Sequence, residues 1–230
     1  MKLKFSAAIL GLAFAISANA TQLFTNTGFE TGSLSGWTTT NTGDGDFYAD
    51  DGFTTPDNGE PTVGPYAGAW YAVSDEFDPG RHALTQTITL PTNIATLNFS
   101  AQMFVNDQSG SAGFGELAVW AAGVNTATTA PILYVGRTDT PVTGGAPNPY
   151  VATGSSLLSD LGSLLIEGDT YQFGVLEVDS TGIVNVGVDN MNLAYTLNST
   201  TPEPGMLFPT AILAAGMLIF RARRKARAQV

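Results

Sequence analysis

The stretch Leu97-Asn98-Phe99-Ser100-Ala101-Gln102-Met103-Phe104-Val105-Asn106 decides the fold. Leu97, Phe99, Ala101, Met103 and Val105 alternate with Asn98, Ser100, Gln102, Phe104 and Asn106, a period of two that places one set on a single face of a long half-buried strand. Working outward, Leu84 to Leu90, Glu116 to Ala121, Pro131 to Gly136, Tyr171 to Val178 and Ile183 to Tyr195 read the same way. In the last of these the apolar phase runs Val184, Val186, Val188 and then Met191, Leu193, Tyr195. The phase flips at Asp189-Asn190, as a β-bulge or strand break produces. Ser155 to Ile166 leaves room for a helical turn or two. The 26 Gly and 12 Pro punctuate the chain too often for long helices. The expectation is an all-β, antiparallel sandwich of the jelly-roll type.

Composition removes several function classes. The chain has 230 residues, no Cys and one His, so a disulfide framework, a thiol nucleophile and a zinc-thiolate site are excluded, and a multi-histidine metal centre has no ligands. Lys and Arg number 9 against 20 Asp and Glu, a net charge of -11. That balance argues against nucleic acid as a partner, because phosphate backbones are bound by clustered cations. A hydrophobic content of 43% is sufficient for a real core.

The two ends differ from the body. Residues 1 to 20 open with Lys2 and Lys4, run apolar from Ala7 to Ile16 and close with Ala18-Asn19-Ala20, the three parts of a secretory signal peptide, with cleavage by signal peptidase expected after Ala20. Residues 200 to 230 carry Pro202-Glu203-Pro204, an apolar run from Gly205 to Phe220, and the basic residues Arg221, Arg223, Arg224, Lys225 and Arg227. At about 1.5 Å per residue that run reaches about 24 Å, and Arg221 can snorkel to complete a membrane span. The basic cluster fixes the C-terminus on the cytoplasmic side and the body outside. Between the ends, residues 21 to 199 form one domain. Its cations are Arg81 and Arg137 alone, and residues 21 to 201 hold nineteen carboxylates for a net charge of -17. Such a body repels polyanions and suits divalent cations or neutral polymers.

The tail, Pro-Glu-Pro then a short span then an Arg cluster, resembles the PEP-CTERM sorting signal of Gram-negative, exopolysaccharide-producing bacteria. The resemblance implies an exosortase as partner, with Pro202, Glu203 and Pro204 as recognition residues and not catalytic ones. It also implies export across the inner membrane, a transient anchor, and then the cell surface or extracellular matrix.

A second resemblance concerns the body. Asn26-Thr27-Gly28-Phe29-Glu30-Thr31-Gly32 with Leu34-Ser35-Gly36-Trp37, and the closing Val188-Asp189-Asn190-Met191-Asn192-Leu193, resemble the first and last strands of galactose-binding-like jelly rolls, the fold of many carbohydrate-binding modules. In that family the two strands lie side by side and often hold a structural Ca²⁺ through a carboxylate from each, which implies Glu30 and Asp189 as ligands. The alternative is that both carboxylates hydrogen-bond turn amides.

Other candidates are weaker. Asp44-Gly45-Asp46 with Asp50-Asp51 lacks the remaining positions of a calcium loop and reads as a solvated loop. Ser74 to His82 gathers three carboxylates, a cation and the His, but neighbours on one turn seldom give the fixed separation that acid-base chemistry needs; His82 reads as a loop or strand-edge residue. Trp37 reads as core, and Trp70 and Tyr71 are not assigned to a face. If Leu117, Val119 and Ala121 face inward, Trp120 points outward, where an exposed ring would stack on a sugar unless a loop covers it. Three functions remain: a non-enzymatic envelope or matrix protein associated with exopolysaccharide, a dedicated carbohydrate-binding module, and a glycan hydrolase, the last disfavoured by the missing nucleophile motif.

Overall fold

A computed structural model of the protein describes residues 19–107, 113–138, 148–180 and 183–198. Residues 1 to 18 of the expected signal peptide (1 to 20) and the tail from residue 200 lie outside these, with Pro202, Glu203, Pro204 and the basic cluster; among the described residues no helix is long and apolar enough to cross a membrane. Among the described residues the body has eleven strands: β1 (Thr21–Gln22), β2 (Thr38–Thr42), β3 (Asp46–Asp50), β4 (Tyr71–Asp75), β5 (Arg81–Thr89), β6 (Ile94–Asp107), β7 (Phe114–Ala121), β8 (Leu133–Thr138), β9 (Val151–Ser156), β10 (Thr170–Val178) and β11 (Val184–Leu197). One sheet runs β3-β4-β11-β6-β9 with β1 also on β11, the other β2-β5-β10-β7-β8. Among the described residues every pairing between these strands is antiparallel, so the fold is an all-β sandwich.

The alternating strands occupy the middle of each sheet, as their apolar faces require. Leu97, Phe99, Ala101, Met103 and Val105 of β6 and Val184, Val186, Val188, Met191 and Leu193 of β11 point inward against Leu84, Ile88, Leu117, Val119, Phe173 and Val175 of the opposing sheet. Each such side chain contributes about 1.5–3 kcal/mol when fully buried. The phase flip in β11 is a register shift against β6 between Asp189 and Asn192, with Asn190 at φ 49°. That irregularity turns Met191 back to the core after Val188.

Polar or doubly buried strands are the ones that sequence periodicity does not reveal. β2 reads Thr-Thr-Thr-Asn-Thr and has no apolar face. β4 is buried at every position and so shows no alternation. Asp46 and Asp50 belong to β3 and pair with β4, a correction to the solvated loop expected there. The helical allowance in 155–166 is one 3₁₀ turn at Leu158–Asp160. Before β2, Phe29 and Trp37 join the core, and Trp37 Nε1 donates to the Asn26 carbonyl at 3.1 Å.

Candidate functional site

The outer face of the five-stranded sheet carries both cations of the body. Leu84 faces the core, so period two turns Arg81, Ala83 and Thr85 of β5 outward. By register Thr42 lies beside Arg81, and Thr40 beside Ala83. On β7, Leu117 and Val119 face inward, which sends Phe114, Glu116, Ala118 and Trp120 to this outer face. β8 adds Tyr134 beside Ala118 and Arg137 beside Glu116. The Arg137 guanidinium lies 3.5 Å over the Phe114 ring, a cation–π contact that holds its charge in place. Burial pushes the Glu116 carboxyl upward against the opposing pull of Arg137 and then Arg81.

The loop between β7 and β8 folds back over this sheet. Thr126 hydrogen-bonds Thr40 across it, Ala127 is fully buried, and Asn125 accepts from the Ala127 amide at 3.0 Å to shape the turn. Beside the loop lies a cleft of about 380 Å³ lined by Thr42, Arg81, Ala127, Thr128, Ala130 and Tyr134. Tyr134 is 54% exposed, so its ring offers a planar surface at the cleft wall. The cleft thus combines one exposed aromatic with hydroxyl and guanidinium donors.

Trp120 requires a correction. The strand phase reads as expected, because Trp120 points away from the main core and packs with Ala83, Ala118 and Leu176 on the outer face. The ring is nonetheless fully buried, and its Nε1 donates to the Thr129 carbonyl at 3.0 Å. The covering loop takes the indole as its floor, so Trp120 is not a sugar platform. Tyr134, one strand over and also on the outward phase of an alternating stretch, has the exposure that Trp120 lacks; sequence reasoning missed it although Leu133 and Val135 on either side pack on the core.

Glu30 and Asp189 are brought together at the junction of the first turn and the last strand. A β-carbon on Gly28 would stand 3.5 Å from Asp189 Oδ1 and 3.7 Å from the Glu30 side chain. Both carboxylates accept from one segment: Glu30 Oε1 and Oε2 from the Ala69 amide at 3.1 and 3.0 Å, and Asp189 Oδ2 from the Ala67 amide at 3.0 Å. Burial, above all, raises the Asp189 carboxyl, and Glu30 adds to the effect. The hydrogen-bonded alternative raised by the sequence is therefore present. A carboxylate has about four lone-pair sites, so these bonds leave lone pairs free on both residues, and Asn190 Oδ1 stands 3.7 Å from the same β-carbon position.

The Ser74 to His82 stretch is less open than its sequence implied. His82 lies on β5 between β2 and β10 and is fully buried, as are Ser74 and Glu76. A strand-edge or loop position for His82 is thus corrected.

No protein-family model matches this sequence, and no curated protein is similar to it. Among solved structures, the chain is similar to TmCBM61 in complex with β-1,4-galactotriose, at 16% identity and a TM-score of 0.46, over 75% of this chain and 97% of that one. It is also similar to the CBM22-1 xylan-binding domain of Xyn10C from Paenibacillus barcinonensis, at 10% identity and a TM-score of 0.45, over 80% and 99%. Its structural neighbours include carbohydrate-binding modules. They also include the Stig cyclase Fisc from Fischerella sp. TAU, at 14% identity and a TM-score of 0.49, over 79% and 100%.

Proposed function

We propose that the body is a glycan-binding module that holds a neutral polysaccharide chain in the cleft beside Tyr134. The exposed Tyr134 ring at the wall of that cleft is the observation that carries this reading. A ring stacks on the apolar face of a sugar, while Thr42, Thr128 and Arg81 meet its hydroxyls. The lining has no carboxylate, so the acid-base pair that glycoside hydrolysis uses has no members there, which favours binding over cleavage. A net charge of -17 on the body disfavours anionic polymers.

The terminal segments support the wider role: an exported protein, cut by signal peptidase after Ala20, sorted by an exosortase through Pro202, Glu203 and Pro204, and placed on exopolysaccharide at the cell surface or in the matrix. Glu30 and Asp189 would hold a structural Ca²⁺ that locks the first turn to the last strand and lies apart from the cleft.

Affinity electrophoresis in gels containing matrix polysaccharide tests the binding reading. Native protein should be retarded, and Tyr134→Ala should migrate freely while its melting temperature stays within the ~0.5 kcal/mol range of surface substitutions. Equal retardation of the two proteins, or none of the native protein on any neutral glycan tried, overturns it.

A further inference from the structure

Beneath the cleft-bearing sheet, three ionisable side chains from separate elements converge in the interior. His82 and Glu177 are directly opposite each other in the β5–β10 pairing, and both face inward. Glu76 comes from the other sheet, one residue past the end of β4. All three side chains are fully buried. His82 Nε2 lies 2.9 Å from Glu76 Oε2 and 3.7 Å from Glu177 Oε2.

His82 Nε2 thus makes a close ion-pair contact with Glu76 and a longer one with Glu177. Beyond these contacts within the cluster, neither oxygen of Glu177 has a hydrogen-bond partner among the described residues. The remaining Glu76 oxygen accepts from the Val184 amide at 3.1 Å, which anchors that carboxylate to β11. His82 Nδ1 stands 3.3 Å from Asn41 Oδ1, an acceptor for its N–H; in a neutral imidazole protonated there, Nε2 carries the lone pair that a metal takes, with Asn41 as the outer-shell partner. Gly80 keeps the space beside Nε2 free of a side chain, since a β-carbon there would come within 2.7 Å of that nitrogen.

The spacing identifies what fits between them. Zinc takes nitrogen and carboxylate oxygen at about 2.0–2.2 Å, and in a tetrahedron this places neighbouring donors about 3.4 Å apart. The two separations from His82 Nε2, 2.9 and 3.7 Å, bracket that value. Charge leads to the same place. Ionised together, two carboxylates buried beside one imidazole would be costly in a low dielectric. A divalent cation with neutral imidazole brings the cluster to neutrality.

We propose that Glu76, His82 and Glu177 form a buried site for a divalent transition metal of the zinc class, which ties the two sheets together. An imidazole donor and three close-set ligand atoms favour zinc over calcium, which takes about six to eight oxygens. Full burial of every ligand assigns the ion a structural role. The site shares no residue with the Glu30–Asp189 pair or with the cleft.

The single His makes the test direct. Untagged protein is stripped of metal by a chelator and titrated with Zn²⁺, following the imidazole nitrogens by NMR and the melting temperature in parallel. One equivalent of Zn²⁺ should move the Nε2 resonance of His82 and raise the melting temperature, because a ligand of the folded state adds stability by mass action. Glu177→Gln should weaken binding at least tenfold, and Glu30→Gln should leave it unchanged. An Nε2 resonance that stays in place at saturating Zn²⁺, Zn²⁺ bound elsewhere with Nε2 unmoved, or equal affinity in a folded Glu177→Gln variant overturns the site.

Discussion

Trp120 donates its indole N–H to the carbonyl of Thr129 at 3.0 Å, so the residue that forms the floor of the β7–β8 loop also fixes the height of its roof. Replacement of Trp120 by Ala should therefore cost about 3–5 kcal/mol, from lost burial and the cavity left behind. Trp120→Phe retains most of the apolar contact and should cost about 0.5–1.5 kcal/mol for the lost hydrogen bond. Denaturant melts of the three proteins give both values, and near-equal stability of the Ala variant would show that the loop does not rest on the ring.

The pairing of Glu30 and Asp189 predicts a calcium-dependent stability. Treatment with chelator should lower the melting temperature, and restoring Ca²⁺ should recover it. In Glu30→Gln the Ca²⁺ response should vanish while the response to Zn²⁺ persists. A melting curve that ignores Ca²⁺ in the native protein would leave the two carboxylates as acceptors for the Ala67 and Ala69 amides alone.

Glu116 supplies a pH dependence whose sign follows from its surroundings. Its carboxyl is raised in the folded state, first by burial, so between the ordinary carboxylate range and its raised value the native protein binds more protons than the unfolded chain. Stability then falls as pH increases through that window and is recovered on acidification. Glu116→Gln has no proton to lose there, so its melting temperature, followed from pH 5 to pH 7 in chelator, should decline less steeply than that of the native protein. Parallel declines would rule out Glu116 as a contributor.

Most of the sandwich was legible where burial is one-sided. β6 announces itself because Leu97 to Val105 face the core while Asn98, Ser100 and Gln102 do not, and the bulge at Asp189-Asn190 shows as a broken alternation. β2 and β4 stay hidden for opposite reasons: Thr38–Thr42 has no apolar residue to alternate, and Tyr71–Asp75 is covered on both faces. For the sites, phase was readable and cover was not. Trp120 points where its strand says it should, but its exposure depends on a loop whose path is a tertiary fact. The Glu76–His82–Glu177 cluster was half visible, since Glu76 and His82 share one stretch of sequence. Glu177 joins them only through the β5–β10 register, which no local pattern encodes.

The position of β11 also has a mechanical meaning. This last strand is hydrogen-bonded to β6 along most of its length and to β4 and β1 on its other side, and the chain leaves it at Leu197. A pull on the C-terminal side therefore loads an interior strand along its own axis, where many backbone hydrogen bonds resist in parallel shear and cannot be unzipped one at a time. A domain tethered from that end while its opposite sheet grips a polymer would bear tension through its best-anchored strand.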